Sequence, residues 1–273
     1  MGEPLLQIEG ACKSFPGVTA LSQVDFDLFP GEVHVLIGEN GAGKSTLIKL
    51  LAGVYPPDAG RFLLGGRQVS IDSVRTAQEL GVATIYQEMN LIPELTVAQN
   101  ILLGREPRRG AGLFVDARAA RARSAELLAS LGQDLDPDAP VKSLSVPEQQ
   151  MVEVAKALSM DARIVVFDEP TDTLAEKETA ALFGMIRALK ARGIGIIYIS
   201  HRLEEIREIG DRVTVLRDGH RIGTLAVVEA GKDELIRMMV GRELREQFPR
   251  RRQPRGGVAL ELRHVSQGGF LRD

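Results

Sequence analysis

Residues 33–46 read VHVLIGENGAGKST. The first five form an apolar run of strand length, interrupted only by His34, and LIKLL at 47–51 continues with helical character. Between them stands G-x-x-x-x-G-K-[ST], a pattern whose chemistry requires that context of strand, loop and helix. Its glycines, Gly38, Gly41 and Gly43, let the backbone turn so that successive N–H groups aim at phosphate oxygens, with Asn40 in the same loop. The following helix start adds positive potential, Lys44 neutralises charge, and Ser45, followed by Thr46, offers a hydroxyl to Mg²⁺.

Working outward, a metal-bound phosphate needs an acidic partner. IVVFDE at 164–169 supplies one, because four apolar residues end in two carboxylates where ligands of parallel sheets bind. Alone, such a run is a common turn or helix cap. Beside a phosphate loop it reads as Asp168 holding Mg²⁺ through water and Glu169 polarising an attacking water. Gln87 follows the strand-like run 82–86, and His201 follows 194–200. Both read as polar groups delivered to the same sheet edge, toward metal, water or the terminal phosphate.

Strand-like runs recur near 5–9, 24–28, 33–37, 82–86, 164–167, 194–199, 213–216 and 221–227, with helical segments between several of them. The alternation predicts an α/β fold with a mainly parallel sheet, and 33–37, 164–167 and 194–199 are its expected centre. From about 93 to 160 strand signals give way to helical ones, so an inserted helical subdomain is expected there. Within it, Ser145-Val146-Pro147-Glu148 reads as a capping box with proline in the first turn. Met151, Val154, Ala155 and Leu158 make one apolar stripe behind it.

Composition limits the function. The 273 residues carry a net charge of −3, which argues against bulk polyanion binding and against nucleic acid. Cys12, the single cysteine, closes no intrachain disulfide and reads as a small buried apolar residue in a reducing compartment. No run approaches the roughly 18 apolar residues of a membrane span, and MGEPLLQIEG lacks the features of a secretory signal. PRRRQPRGG at 249–257 reads as a solvated linker, after which residues 258–266 repeat the pattern of residues 5–14. The expected division is a domain at 1–248, a linker at 249–257, and at 258–273 the first strand of a second copy of that domain.

The ordered set KSFPG, GENGAGKST, IYQEMNLIPE, LSVPEQQ at 144–150, VVFDEPT and YISHRLEEI resembles the nucleotide-binding cassette of ATP-binding cassette (ABC) transporters. LTVAQNILLGREP, QQMVEVAKALS, DRVTVLRDG and MMVGREL resemble more narrowly the ATPase subunit of bacterial monosaccharide importers of the ribose, xylose and galactose type. The resemblance implies a P-loop cassette with a mainly parallel core sheet, an antiparallel β subdomain and an inserted helical subdomain. It implies ATP and Mg²⁺ as ligands, with Phe15 stacking on adenine and Lys44, Ser45 and Thr46 holding phosphates and metal. Gln87 would link the metal site to the membrane subunit, and Asp168, Glu169 and His201 would serve hydrolysis. Two cassettes would face each other head to tail, so that Ser145 closes the partner's ATP in trans. The implied partners are a second cassette, a membrane permease and, indirectly, a periplasmic sugar-binding protein, with the chain at the cytoplasmic face of the bacterial inner membrane.

Three residues depart from the family's pattern within the cassette. Its signature is Leu-Ser-Gly-Gly-Gln, whereas Val146 and Pro147 stand here for both glycines. Pro147 removes a backbone N–H otherwise aimed at the partner's γ-phosphate, so the site it closes is expected to be weakened. Asp172 stands where the family has serine, and either repels phosphate or meets a basic partner. A soluble ABC protein acting on ribosomes or DNA would carry basic patches or coiled-coil inserts. A small-metabolite kinase would not explain LSVPEQQ followed by DEPT and His201. A cassette that binds ATP but turns it over poorly stays open.

Overall fold

The computed structural model describes residues 2–86, 90–110, 112–172, 174–241 and 261. The chain divides into units Met1–Gly241 and Arg242–Asp273, and the fold concerns the first. Gln87, the linker at 249–257 and, except for Glu261, the repeated strand at 258–273 lie outside the described residues.

The chain opens with a long hairpin, β1 (Leu6–Phe15) and β2 (Val18–Leu28), turning at Pro16 and Gly17. The apolar strand β3 (Val33–Ile37) then leads through the glycine loop into α1 (Lys44–Leu51). β4 (Ala59–Leu64) and β5 (Arg67–Val69) return to the hairpin and complete an antiparallel sheet of order β2-β1-β4-β5. After α2 (Val74–Glu79) comes β6 (Val82–Ile85), and then a mainly helical stretch. This stretch holds α3 (Val97–Ile101), the two-residue strands β7 (Arg108–Arg109) and β8 (Phe114–Val115), α4 (Ala117–Ser130) and α5 (Val146–Leu158). The chain continues through β9 (Ile164–Asp168), α6 (Glu176–Ala191), β10 (Gly195–Ile199), α7 (Leu203–Ile209), β11 (Arg212–Arg217), β12 (His220–Ala226) and α8 (Lys232–Val240).

The larger sheet runs β12-β11-β3-β10-β9-β6, parallel throughout except for β12 at one edge. The three runs expected at the centre are adjacent there. Their lack of polar alternation has a direct cause, since each strand feeds two cores. Val35, Val165, Phe167, Ile196 and Tyr198 face a core built with α3, α5 and α6. Leu36, Val166, Ile197 and Ile199 face another, built with α1 and the antiparallel sheet.

Four differences from the sequence reading have physical reasons. β4 and β5 gave no signal because only Phe62 is fully buried and their pairing with β1 is long-range. β1 and β2 extend well beyond 5–9 and 24–28, with register shifts near Ala11 and Lys13 that disturb period-two alternation. The hairpin of β7 and β8 interrupts the stretch read as helical, with only two residues in each strand. Cys12 is half-buried, and its sulfur receives hydrogen bonds from the backbone and side-chain nitrogens of Gln23. Among the described residues no helix is long and apolar enough to cross a membrane.

Candidate functional site

Parallel register brings the candidate residues to one sheet edge. Ile199 of β10 pairs with Leu36 of β3 on one side and with Asp168 of β9 on the other. The glycine loop, the Asp168-Glu169 pair and His201 therefore leave the sheet side by side. An open pocket of about 520 Å³ is lined by Phe15, Val18, Asn40, Gly41, Gly43, Lys44, Ser45, Thr46, Asp168 and Glu169, among others.

The loop needs glycine for two separate reasons. Gly43 stands at the N-terminus of α1 with φ of 106°, where an L side chain is strained. A Cβ there would also meet the Ala20 carbonyl oxygen at 2.7 Å. At Gly38 a Cβ would run into the Leu216 carbonyl oxygen, so the loop lies directly on β11. Lys44 is buried and its Nζ donates to the carbonyls of Gly38 and Glu39, at 2.8 and 3.3 Å, which ties the helix start to the loop. Burial lowers its pKa, and the negative charges of Glu169 and Asp168 oppose that shift.

Burial is also the first cause raising the pKa of Asp168, opposed by Lys44 and Lys49. A half-buried carboxylate, a serine hydroxyl and a lysine around one polar pocket suit a hard cation that brings phosphate charge with it. Ser45 and Asp168 fit Mg²⁺ on that donor chemistry. Glu169 adopts φ of 48°, a left-handed conformation uncommon for a residue with a side chain, and its N–H donates to the Ile199 carbonyl at 3.2 Å. Its pKa is raised by burial first, then by the charge of Asp172 and a hydrogen bond with it, against His201 and Lys44. His201 Nδ1 lies 3.7 Å from Glu169 Oε2, and ligand atoms of Glu169, Asp172 and His201 all lie within 4.8 Å of one another. Asp172 thus meets both an acid and a base.

Ser145 is placed apart from this pocket, as the N-cap of α5. Glu148 accepts hydrogen bonds from its backbone N–H and its hydroxyl, each at 2.7 Å. Gln87 lies outside the described residues, so its relation to the pocket is not described.

Two contributors, and one departure from the family pattern, escaped the sequence reading. Tyr55 packs edge-on against Phe15, with centroids 5.3 Å apart and planes at 72°, and fixes the ring at the pocket's rim. Gln150 of α5 donates to the Pro170 carbonyl at 3.0 Å, joining the helical stretch to the loop after Glu169. Glu148 is itself a departure, because the family pattern has glutamine there, a signal legible in LSVPEQQ.

Residues 21–172 match the family described as ABC transporter. A ribose import ATP-binding protein of Rubrobacter xylanophilus is 56% identical over 270 residues, covering 99% of this chain and 54% of that protein. A ribose import ATP-binding protein of Streptomyces avermitilis is 51% identical over 271 residues, with coverage of 99% and 51%. The chain spans about half the length of the curated relatives it matches. Among solved structures, an ATP-binding cassette of an ABC transporter in its ADP conformation superposes with a TM-score of 0.74 at 25% identity, covering 86% of this chain and 94% of that one. A nucleotide-free ATP-binding cassette from an ABC transporter gives 0.74 at 26% identity, covering 88% and 96%.

Proposed function

The chain belongs to the ABC transporter family, and from that premise we propose that it is an ATP-hydrolysing cassette energising import of a monosaccharide through a membrane permease. The observation that carries this reading is the meeting of Lys44, Ser45, Asp168, Glu169 and His201 at one sheet edge. The sugar assignment rests on relatives named for ribose import.

In this reading Phe15, held by Tyr55, takes the adenine, and the backbone of 38–46 with Asn40 and Lys44 takes the phosphates. Mg²⁺ would be held by Ser45, Asp168 and Gln87 and would supply neutralising charge to the phosphate oxygens. Glu169 accepts a proton from water as its oxygen attacks the γ-phosphorus and the bond to the β-phosphate oxygen breaks, giving ADP and phosphate. His201, beside Glu169, donates to the γ-phosphate oxygens. Ser145 completes the ATP site of a second cassette in the head-to-tail pair, whether in the same polypeptide or another copy. Closure and reopening of that pair drive the permease, which receives sugar from a periplasmic binding protein. The chain works peripherally at the cytoplasmic face of the inner membrane, without nucleic acid. Residues 1–248 form the cassette, with about 93–160 as its helical subdomain and 249–257 as the linker to a second cassette.

The test is ATP hydrolysis and labelled-monosaccharide uptake by the full-length polypeptide with its permease in vesicles. Glu169→Gln should lower hydrolysis by about 100-fold or more while nucleotide still binds. Unchanged hydrolysis and uptake in that variant would show that this cassette's own site is not the hydrolytic one.

A further inference from the structure

The region around His201 contains a buried acid that the proposed chemistry does not use. Glu205, in the first turn of α7, is 5% exposed. One of its oxygens, Oε2, accepts hydrogen bonds from Tyr198 Oη at 2.9 Å and Ser200 Oγ at 2.7 Å. Its other oxygen accepts no hydrogen bond among the described residues and faces the Arg202 guanidinium at 3.5 Å. Ser200 Oγ in turn accepts the Arg202 backbone N–H at 3.0 Å. The residues on either side of His201 are therefore both held by this one carboxylate, directly or through Ser200.

Through Tyr198 the same carboxylate adjoins the loop that carries Glu169. Tyr198 is wholly buried between Phe167 and Phe183, and its hydroxyl lies beside the buried Thr171. Thr171 immediately precedes Asp172, two residues past Glu169. A buried carboxylate is costly unless its geometry is well satisfied. A glutamate serving only as an acidic first-turn residue of α7 would do its work at the surface. This one is drawn inside, where it bonds Ser200, the residue before His201, and Tyr198 of β10, which adjoins the loop after Glu169.

We propose that Glu205 is a positioning residue for ATP hydrolysis: through Ser200, Arg202 and Tyr198 it sets the placement of His201 against Glu169. This rests on the ATPase reading given above. Glu205 touches no reacting atom, so its effect passes through His201.

The experiment measures kcat, KM and equilibrium ATP affinity in the full-length polypeptide for Glu205→Ala, Glu205→Gln, His201→Ala and the double variant Glu205→Ala/His201→Ala. Glu205→Ala should lower kcat by about 10- to 100-fold, as misplacement of a reacting group does. KM and affinity should stay within about twofold, and the double variant should fall within about twofold of His201→Ala alone. Glu205→Gln keeps an acceptor for Tyr198 and Ser200 and should recover part of the rate. Losses that multiply in the double variant, or that appear equally in ATP affinity, would overturn the proposal. So would full activity of Glu205→Ala. If Glu205→Ala does not fold, Ser200→Ala carries the same comparison against His201→Ala, with a smaller expected loss. Failure of the ATPase reading is separate, since wild type and His201→Ala would then hydrolyse ATP equally.

Discussion

The hydroxyl of Ser145 donates to the carboxylate of Glu148 at 2.7 Å, and the Ser145 backbone N–H donates to the same oxygen. A helix N-terminus is an anion site because its first N–H groups lack partners. At α5 an internal carboxylate takes one of them together with the capping hydroxyl, and Pro147 withholds another N–H. The end of the helix that would close a partner's ATP is thus already furnished with an anion from its own chain.

Glu148→Gln should therefore free Ser145 from a charge-assisted bond and remove repulsion toward phosphate. ATP-dependent association of two cassettes, followed by light scattering or analytical ultracentrifugation, should tighten by about 10-fold, equivalent to roughly 1.4 kcal/mol. Pro147→Gly should act in the same direction by restoring an N–H, at a helix-stability cost near 1 kcal/mol. Weaker association in Glu148→Gln would mean that the capping box contributes more than the repulsion.

Glu169 offers a second test through pH. Its carboxyl is raised by burial and by Asp172, and a general base works only when ionised. The acid limb of the kcat profile should accordingly lie above the ordinary glutamate range. Asp172→Asn removes the neighbouring charge and should move that limb to lower pH, leaving the alkaline plateau where it was. A limb that stays in place in Asp172→Asn would assign it to another group.

How far these features could be read from sequence depends on the range of the interactions that make them. The phosphate loop, β9 and β10 were legible because loop chemistry and burial on both sheet faces are written in consecutive residues, as in 33–46 and 164–168. Ser145 as a cap with Glu148 three residues on was legible for the same reason. β4 was not, since its partner β1 lies about fifty residues away and only Phe62 is deeply buried. Tyr55 against Phe15 and Thr171 near Tyr198 are likewise contacts across the fold that no local pattern announces.

His34 governs a stability prediction remote from the pocket. Nδ1 lies 2.7 Å from the Asp27 carbonyl, which can only accept, so the proton sits on Nδ1 and Nε2 accepts from the Thr214 hydroxyl at 2.7 Å. Burial, and then the Arg212 charge, lower its pKa from 6.5 to about 3. The folded state therefore keeps His34 neutral while the unfolded chain takes up a proton below 6.5. Stability present above pH 6.5 should be lost as pH falls toward 3, at about 1.4 kcal/mol per pH unit from this group. Urea unfolding of wild type and His34→Gln across that range checks it, and the variant should show the shallower pH dependence.

The Phe15–Tyr55 pair bears on nucleotide affinity. Phe15 is 36% exposed at the rim of the pocket, so a flat ligand ring can reach its face while Tyr55 supports its edge. Lys13 Nζ lies 5.7 Å from the Phe15 ring and is itself fixed by Asp58 at 2.7 Å, which limits the ring from a further side. If the ring's orientation matters to nucleotide binding, Tyr55→Leu should weaken ATP although Tyr55 lines no part of the pocket. The expected loss is about 3- to 10-fold in Kd, matching the 0.5–1.5 kcal/mol of an aromatic pair, roughly. Phe15→Leu should cost more, and the double variant should cost no more than Phe15→Leu alone, because Tyr55 acts only by holding Phe15. Isothermal titration with ATP across the four proteins decides it. Independent, additive losses would mean that Tyr55 meets the nucleotide itself or supports the loop by another route.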